Sequence, residues 1–372
     1  MAGKRMPRVL MTADTVGGVW TYAVELAREL EARGVRVGIA TMGAALTPHQ
    51  REEVAGSRRI TLFESEYRLE WMTDCVADVE AAGDWLLELE REFQPDIVHL
   101  NQYAFGALPF RAPTLVVAHS CVLSWWQAVR GEAAPPEWNT YRRWVRQGLA
   151  SAGLIAAPTR AMLESLAQNY GVRRPGLVLP NGASGEDFAP ARKQHCVLAA
   201  GRFWDAGKNL AALEVVAPQL PWPVKVAGAY KQPDGGTVAP QGVHCLGELP
   251  REALAREFAT AAIYALPARY EPFGLSVLEA ALSGCALVLG DIPSLRETWG
   301  EAALYVPPED HEALRATLQR LIEQPAQRSR LAQAALGRAR HFTPARKCDA
   351  YLQAYASLAP RFAPATEELA CA

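Results

Sequence analysis

The chain has 372 residues, the length of about two or three ordinary domains, and half of them are apolar and 21% charged, as in soluble globular proteins. A net charge of -2 supplies no general basic field, which argues against nucleic acid as a partner. No apolar run approaches the roughly 18–20 residues of a membrane span, and the basic start leads into an apolar run too short for a signal peptide.

The seven cysteines form no C-x-x-C pair, so neither a zinc site nor a disulfide framework is indicated, and the expected compartment is the reducing cytoplasm. In chain order, Val9–Thr12 reads as a buried strand and Asp14-Thr15-Val16-Gly17-Gly18 as a loop. Trp20, Val24, Ala27 and Leu30 then mark one face of a helix that Gly34 ends. Further strands are expected at Val35–Ala40, Ile60–Phe63, Ile97–Leu100, Thr114–Ala118, Leu154–Ala157 and Gly176–Leu179. Helices lie between most of them, including Met72–Phe93 and Thr159–Tyr170. Pro180-Asn181-Gly182 is a turn signal, and Ala183–Lys193 lacks clear periodicity.

A second alternating series follows, with strands at Val197–Ala200, Val224–Ala227, Gly242–Leu246, Ala262–Leu266, Ala286–Leu289 and Ala303–Val306. Helices are expected at Arg251–Ala259, Leu275–Leu282 and His311–Ile322, and Tyr351, Tyr355 and Leu358 share a face of the last helix. The Ala- and Pro-rich tail beyond Pro360 reads as poorly ordered. Strand–helix alternation in both halves places the chain in the α/β class, as two Rossmann-like, doubly wound domains. The expected division is residues 1–182, a linker at 183–194, a second domain at 195–340, and a C-terminal helix at 341–372 that packs back on the first domain before the tail. Two such domains face each other across a cleft, where ligands bind.

The stretch Ala268–Glu297, ARYEPFGLSVLEAALSGCALVLGDIPSLRE, carries the strongest chemical signal. Seven residues separate Glu271 from Glu279. Between them Pro272-Phe273-Gly274-Leu275-Ser276 turns a loop into a helix, whose first N–H groups have no intrahelical partner. Those groups and the helix dipole make a seat for phosphate. A carboxylate on either side suits hydroxyls on both sides of a pyrophosphate, the layout of a nucleotide sugar. An isolated Glu pair at this spacing reads more simply as one surface residue and one helix residue paired with an arginine.

Together with Gly17-Gly18, His119-Ser120, Leu179-Pro180-Asn181-Gly182, Gly201-Arg202 and Lys208-Asn209, this stretch resembles the retaining nucleotide-sugar glycosyltransferases of family 4, in the same order along the chain. The resemblance implies the GT-B fold, with residues 1–182 on the acceptor side and residues 195–340 binding the donor. It implies that Glu279 accepts hydrogen bonds from the ribose diol and Glu271 binds hydroxyls of the transferred hexose. Phe273, Gly274, Leu275 and Ser276 receive the pyrophosphate. Arg202 and Lys208 stabilise charge on the leaving phosphate, and no Asp-x-Asp metal clamp is present. No metal or cofactor is therefore expected, the nucleotide sugar being a co-substrate.

Gly17 and Gly18 allow close backbone approach on the acceptor side, and the lack of G-x-G-x-x-G there counts against a nicotinamide cofactor. His119 sits near the hexose by the same resemblance, although relatives often follow it with Asp or Asn and this chain has Ser120. The Trp- and Arg-rich segment Trp125–Arg146 has three readings: cleft packing, acceptor binding, or weak peripheral contact with an anionic membrane.

The resulting expectation is a retaining hexosyltransferase. Uridine diphosphate glucose is the default donor, and the acceptor is a small molecule, a glycan or a lipid-linked acceptor. The alternatives are a glycogen- or starch-synthase-like enzyme and, in another class, a non-catalytic sugar-nucleotide-binding protein. Neither acceptor nor oligomeric state is legible in the sequence.

Overall fold

The computed structural model describes residues 5–231, 235–236 and 239–362; the expectation of a poorly ordered tail lies largely outside these residues. The first sheet has seven parallel strands in the order β3-β2-β1-β4-β5-β6-β7. They are β1 (Arg8–Asp14), β2 (Arg36–Met42), β3 (Ile60–Phe63), β4 (Ile97–Leu100), β5 (Thr114–Val117), β6 (Leu154–Ala157) and β7 (Leu177–Val178). The second has six parallel strands in the order β10-β9-β8-β11-β12-β13. They are β8 (Gln194–Ala200), β9 (Val224–Ala227), β10 (His244–Gly247), β11 (Ala261–Leu266), β12 (Ala286–Gly290) and β13 (Leu304–Val306). This is the two-domain GT-B architecture.

Helices cover both faces of each sheet, which is why the strands read as continuous apolar runs rather than alternating ones. Every residue of β1 from Val9 to Asp14 is buried, and so is every residue of β11 and β12. The first long helix, Gly18–Ala32, packs Trp20, Ala23, Val24, Ala27 and Leu30 on the sheet through a 3–4 spacing.

Two local differences from the sequence expectation have clear causes. The helix expected from Met72 begins at Val76, because Asp74 takes a left-handed φ of 49°. The Trp- and Arg-rich segment is broken into helices Val122–Arg130 and Asn139–Ser151, the first ended by Gly131 at φ 72°. Each helix faces its own neighbours, so no single amphipathic stripe runs through both.

Leu179 packs in the core of the first sheet and Ala183 in that of the second. Phe342 packs with the second and Cys348 again with the first, so the chain crosses twice, near 182–183 and near 342–343. The two crossings touch: Ala183 N donates to Phe342 O at 3.1 Å. Thr343 then caps helix Pro344–Leu358 by accepting from Arg346 N, with proline in the first turn. That helix buries Cys348, Tyr351, Ala354 and Tyr355 in the same core as Val9, Met11, Leu26 and Leu30 of the first domain. No helix among the described residues is long and apolar enough to cross a membrane.

Candidate active site

In an open α/β sheet, ligands collect beyond the C-terminal strand ends where the strand order reverses. That point lies between β1 and β4 in the first sheet and between β8 and β11 in the second. Asp14 ends β1 and the Gly17-Gly18 loop follows it, Asn101 follows β4, and His119 follows β5 close by. Arg202 follows β8, and the segment 268–271 follows β11.

The two edges meet across the cleft. A Cβ placed on Gly17 would lie 2.7 Å from Arg202 Nη1, and one on Gly18 would lie 3.6 Å from Leu275 Cδ1. Trp125 Nε1 donates to Asp205 Oδ1 at 2.7 Å. Cys121 N donates to the Tyr270 hydroxyl at 2.9 Å, and the Thr159 hydroxyl donates to Pro272 O at 3.0 Å.

On the second domain, Lys208 Nζ donates to Glu271 Oε2 at 2.6 Å, with each side chain 12% exposed. Their loops are tied together first: Arg269 N and Tyr270 N both donate to Gly207 O, at 2.9 and 3.2 Å. Asp205 Oδ1 accepts from Gly207 N, fixing the turn that presents Lys208. Asn209, at φ 58°, donates from Nδ2 to the carbonyls of Pro267 and Pro308. The Ser294 hydroxyl holds the Glu271 carbonyl.

Gly274 opens helix Leu275–Leu282 at φ 88°, a left-handed turn that suits glycine, and no side chain caps that end. Ser276 Oγ accepts from the buried Tyr264 hydroxyl at 2.8 Å. Phe273 is turned into the core against Phe342, so only its backbone remains for a ligand. Glu279 stands four residues past Leu275, about 6 Å along the axis at about 1.5 Å per residue. Its side chain is partly exposed. Burial pushes its pKa up to about 7, with Arg251 opposing that shift and Glu25 and Asp187 adding to it.

On the first domain, the hydrogen bonds settle the state of His119. Asn101 Nδ2 donates to Thr12 O at 2.6 Å, so its Oδ1 faces His119 Nε2, at 2.7 Å, as an acceptor. His119 therefore carries its proton on Nε2 and presents Nδ1 as an acceptor. Burial, then the nearby charge of Lys347, lowers its pKa to about 3, so the ring is neutral. Lys347 is itself buried, paired with Glu25 and set 4.7 Å from the centre of the Tyr22 ring. Tyr22 in turn meets His119 edge-on at 4.4 Å between ring centres.

Asp14 Oδ1 accepts from Val16 N at 2.6 Å. Burial raises the Asp14 pKa to about 6, against the Val16 N–H, Arg202 and Trp71. The structure thus brings Gly17, Gly18, Arg202, Lys208, Glu271 and the start of helix Leu275–Leu282 together, with His119 on the facing edge. Sequence reasoning passed over Asp14, Asn101, Asp205, Tyr270 and Lys347. Asp14 and Asn101 had a signal, being polar residues at the ends of apolar strands; Lys347 had none. Among the described residues no cluster of His, Cys, Asp or Glu could hold a metal ion.

Residues 16–185 match the family described as Glycosyltransferase Family 4, and residues 238–338 match Glycosyl transferases group 1. The chain belongs to the family 4 glycosyltransferases of GT-B fold. It is 26% identical to the D-inositol 3-phosphate glycosyltransferase of Thermomonospora curvata over 373 aligned positions, covering 87% of this chain and 86% of that protein. A shorter match, 40% over 72 residues, links it to the glycogen synthase of Mycobacterium tuberculosis, over 19% of this chain and 17% of that protein. In fold it resembles sucrose-phosphate synthase from Thermosynechococcus elongatus, with a TM-score of 0.79, 19% identity, and coverage of 95% of this chain and 99% of that one. It also resembles Anabaena HepE solved with UDP-glucose, with a TM-score of 0.75, 15% identity, and coverage of 95% and 100%.

Proposed function

We propose that this glycosyltransferase moves a hexose, with retention of anomeric configuration and without a metal, from a nucleoside-diphosphate sugar to an acceptor hydroxyl. Uridine diphosphate glucose is the leading donor, by analogy with the UDP-glucose held in the HepE structure. The observation that carries the reading is the Lys208–Glu271 pair, with Lys208 packed against Gly201 and the adjoining Arg202 abutting Gly17 across the cleft. One arrangement supplies cations for a leaving phosphate and a carboxylate for sugar hydroxyls.

In this reading the ribose diol donates to Glu279, and the pyrophosphate meets the backbone from Gly274 to Ser276. Arg202 and Lys208 stabilise the negative charge that builds as the bond from the anomeric carbon to the phosphate oxygen breaks. The acceptor oxygen forms its bond to the anomeric carbon on the same face, and its proton passes to the departing phosphate. No side chain serves as nucleophile. Glu271 orients the hexose, and His119 accepts a hydroxyl hydrogen at Nδ1. The acceptor is a small molecule, a glycan or a lipid-linked glycan.

Incubation with a set of nucleotide sugars and a broad acceptor mixture, followed by measurement of free nucleoside diphosphate, tests this. Release with at least one donor is expected, and its loss in Lys208→Ala ties it to this site. Tight donor binding with no turnover under any condition would instead establish a binding protein.

A further inference from the structure

Resting on that transferase reading, we propose that Asp14 is a first-domain ligand for the acceptor, and that the acceptor is an uncharged polyhydroxy compound rather than a phosphorylated one. Asp14 ends β1 at the reversal point of the first sheet and is only 7% exposed. Its Oδ1 takes the Val16 N–H, which fixes the carboxylate relative to the glycine loop. Arg202 acts on it electrostatically from the opposite domain. The carboxylate is thus tied, through Val16, to the loop that Arg202 abuts at Gly17. A carboxylate in that place accepts from a hydroxyl neighbouring the one that reacts. The reacting hydroxyl forms the new bond to the anomeric carbon and gives its proton to the leaving phosphate.

Among the described residues, the charges around this edge disfavour a second anion, the one buried cation there, Lys347, being paired with Glu25. No lysine or arginine occurs within five residues after β1, β4 or β5, where the sequence reads TVGGV, NQYAF and AHSCV. The loop 64–75, whose Trp71 reaches Asp14, carries Glu64, Glu66, Glu70 and Asp74 but one cation, Arg68. Arg68 is engaged by the Thr73 carbonyl at 2.9 Å and faces Asp78 at 3.8 Å. Arg130 lies over the indoles of Trp125 and Trp126 at 5.8 and 6.0 Å.

Glu70 is a different case from Asp14. Both of its oxygens are taken by backbone N–H groups, of Tyr103 at 3.0 Å and Ala104 at 2.6 Å, so it shapes the pocket without binding a ligand. An acceptor phosphate here would face carboxylates and the donor pyrophosphate, and the nearby cations among the described residues are already engaged, Arg68 by the Thr73 carbonyl and buried Lys347 by Glu25. Partly exposed Trp71, Trp125 and Trp126 offer apolar faces suited to sugar rings.

The test uses the full chain with its best donor and pairs each neutral acceptor with its monophosphate: glucose, fructose, myo-inositol and a set of disaccharides. Neutral members should exceed their phosphates at least tenfold in kcat/KM. In Asp14→Asn, which keeps an oxygen for Val16 N, acceptor KM should rise at least tenfold and donor KM less than threefold, and the preference for neutral members should narrow. Stimulation of donor consumption by phosphorylated members alone, or by no neutral member, overturns the inference, as does a rise in donor KM that matches the rise in acceptor KM. A wild-type protein that consumes no donor, even by slow hydrolysis, overturns the transferase reading itself and this inference with it.

Discussion

Arg202 occupies the space that a side chain on Gly17 would need, its Nη1 lying 2.7 Å from where a Cβ would sit. The φ of Gly17 is 173°, an extended value open to any residue, so the requirement for glycine here is steric. Gly17→Ala should therefore fold normally but push the guanidinium away from the donor phosphate. A fall in kcat/KM of about 10–100-fold is expected, the scale of a misplacement of about 1 Å in a reacting group. A melting temperature close to that of the parent, measured alongside, separates this from misfolding.

Lys208 and Glu271 are coupled, so single and double substitutions should part company. Lys208→Ala leaves the Glu271 carboxylate facing no cation partner in a mostly enclosed site. It should lower kcat by about 10²–10³-fold, the cost of losing one preorganised charge-stabilising group, and also lower the melting temperature. Adding Glu271→Gln should restore much of the stability and none of the activity. Recovery of turnover in the double variant would contradict the assignment of Lys208 to the leaving group.

Glu279 gives the site a pH dependence whose sign follows from its environment. Burial holds the carboxyl near a pKa of about 7, so it is protonated below that value and ionised above it. A ribose diol needs two accepting oxygens, which only the ionised form offers in full. Affinity for nucleoside diphosphate, followed by calorimetry, should therefore weaken as pH falls through about 7. Glu279→Gln should bind more weakly and without this titration.

Glu297 holds the facing domain by the end of a helix. Its two oxygens accept from Arg160 N at 2.7 Å and Ala161 N at 2.9 Å, at the start of helix Arg160–Tyr170. Glu297→Ala removes a cap of about 1 kcal/mol that acts only when the domains are together. Small-angle scattering should show a more open average shape, with KM raised for donor and acceptor alike. An unchanged scattering profile would place the closing contacts elsewhere, at Trp125–Asp205 and Tyr270.

Much of the fold was legible because the parallel strands, most of them buried on both faces, begin and end with their apolar runs. Ile60–Phe63, Ile97–Leu100, Leu154–Ala157 and Val224–Ala227 fall on the residues expected. The donor-side residues were legible as a list, since cations and carboxylates at strand ends and before a helix stand out locally. Their mutual geometry was not, because the Lys208–Glu271 bond joins residues 63 positions apart through loops tied by Gly207 O. The state of His119 was further out of reach. It depends on which way the Asn101 amide is held by Thr12, and on Lys347 arriving from the last helix.

The paired crossings at Gly182–Ala183 and Phe342–Thr343 bear on how such a cleft works. Two strands of chain that pass between bodies side by side, joined by the Ala183–Phe342 hydrogen bond, behave as a single pivot. Sliding or twisting one domain over the other would shear that bond, whereas a swing about it leaves the bond intact. The second domain is then a jaw mounted on the first, with its pivot beside the donor seat, since Phe342 packs on Phe273 at 5.6 Å between ring centres. Rotation there sets the gap between Gly17 and Arg202, which now nearly touch across the cleft.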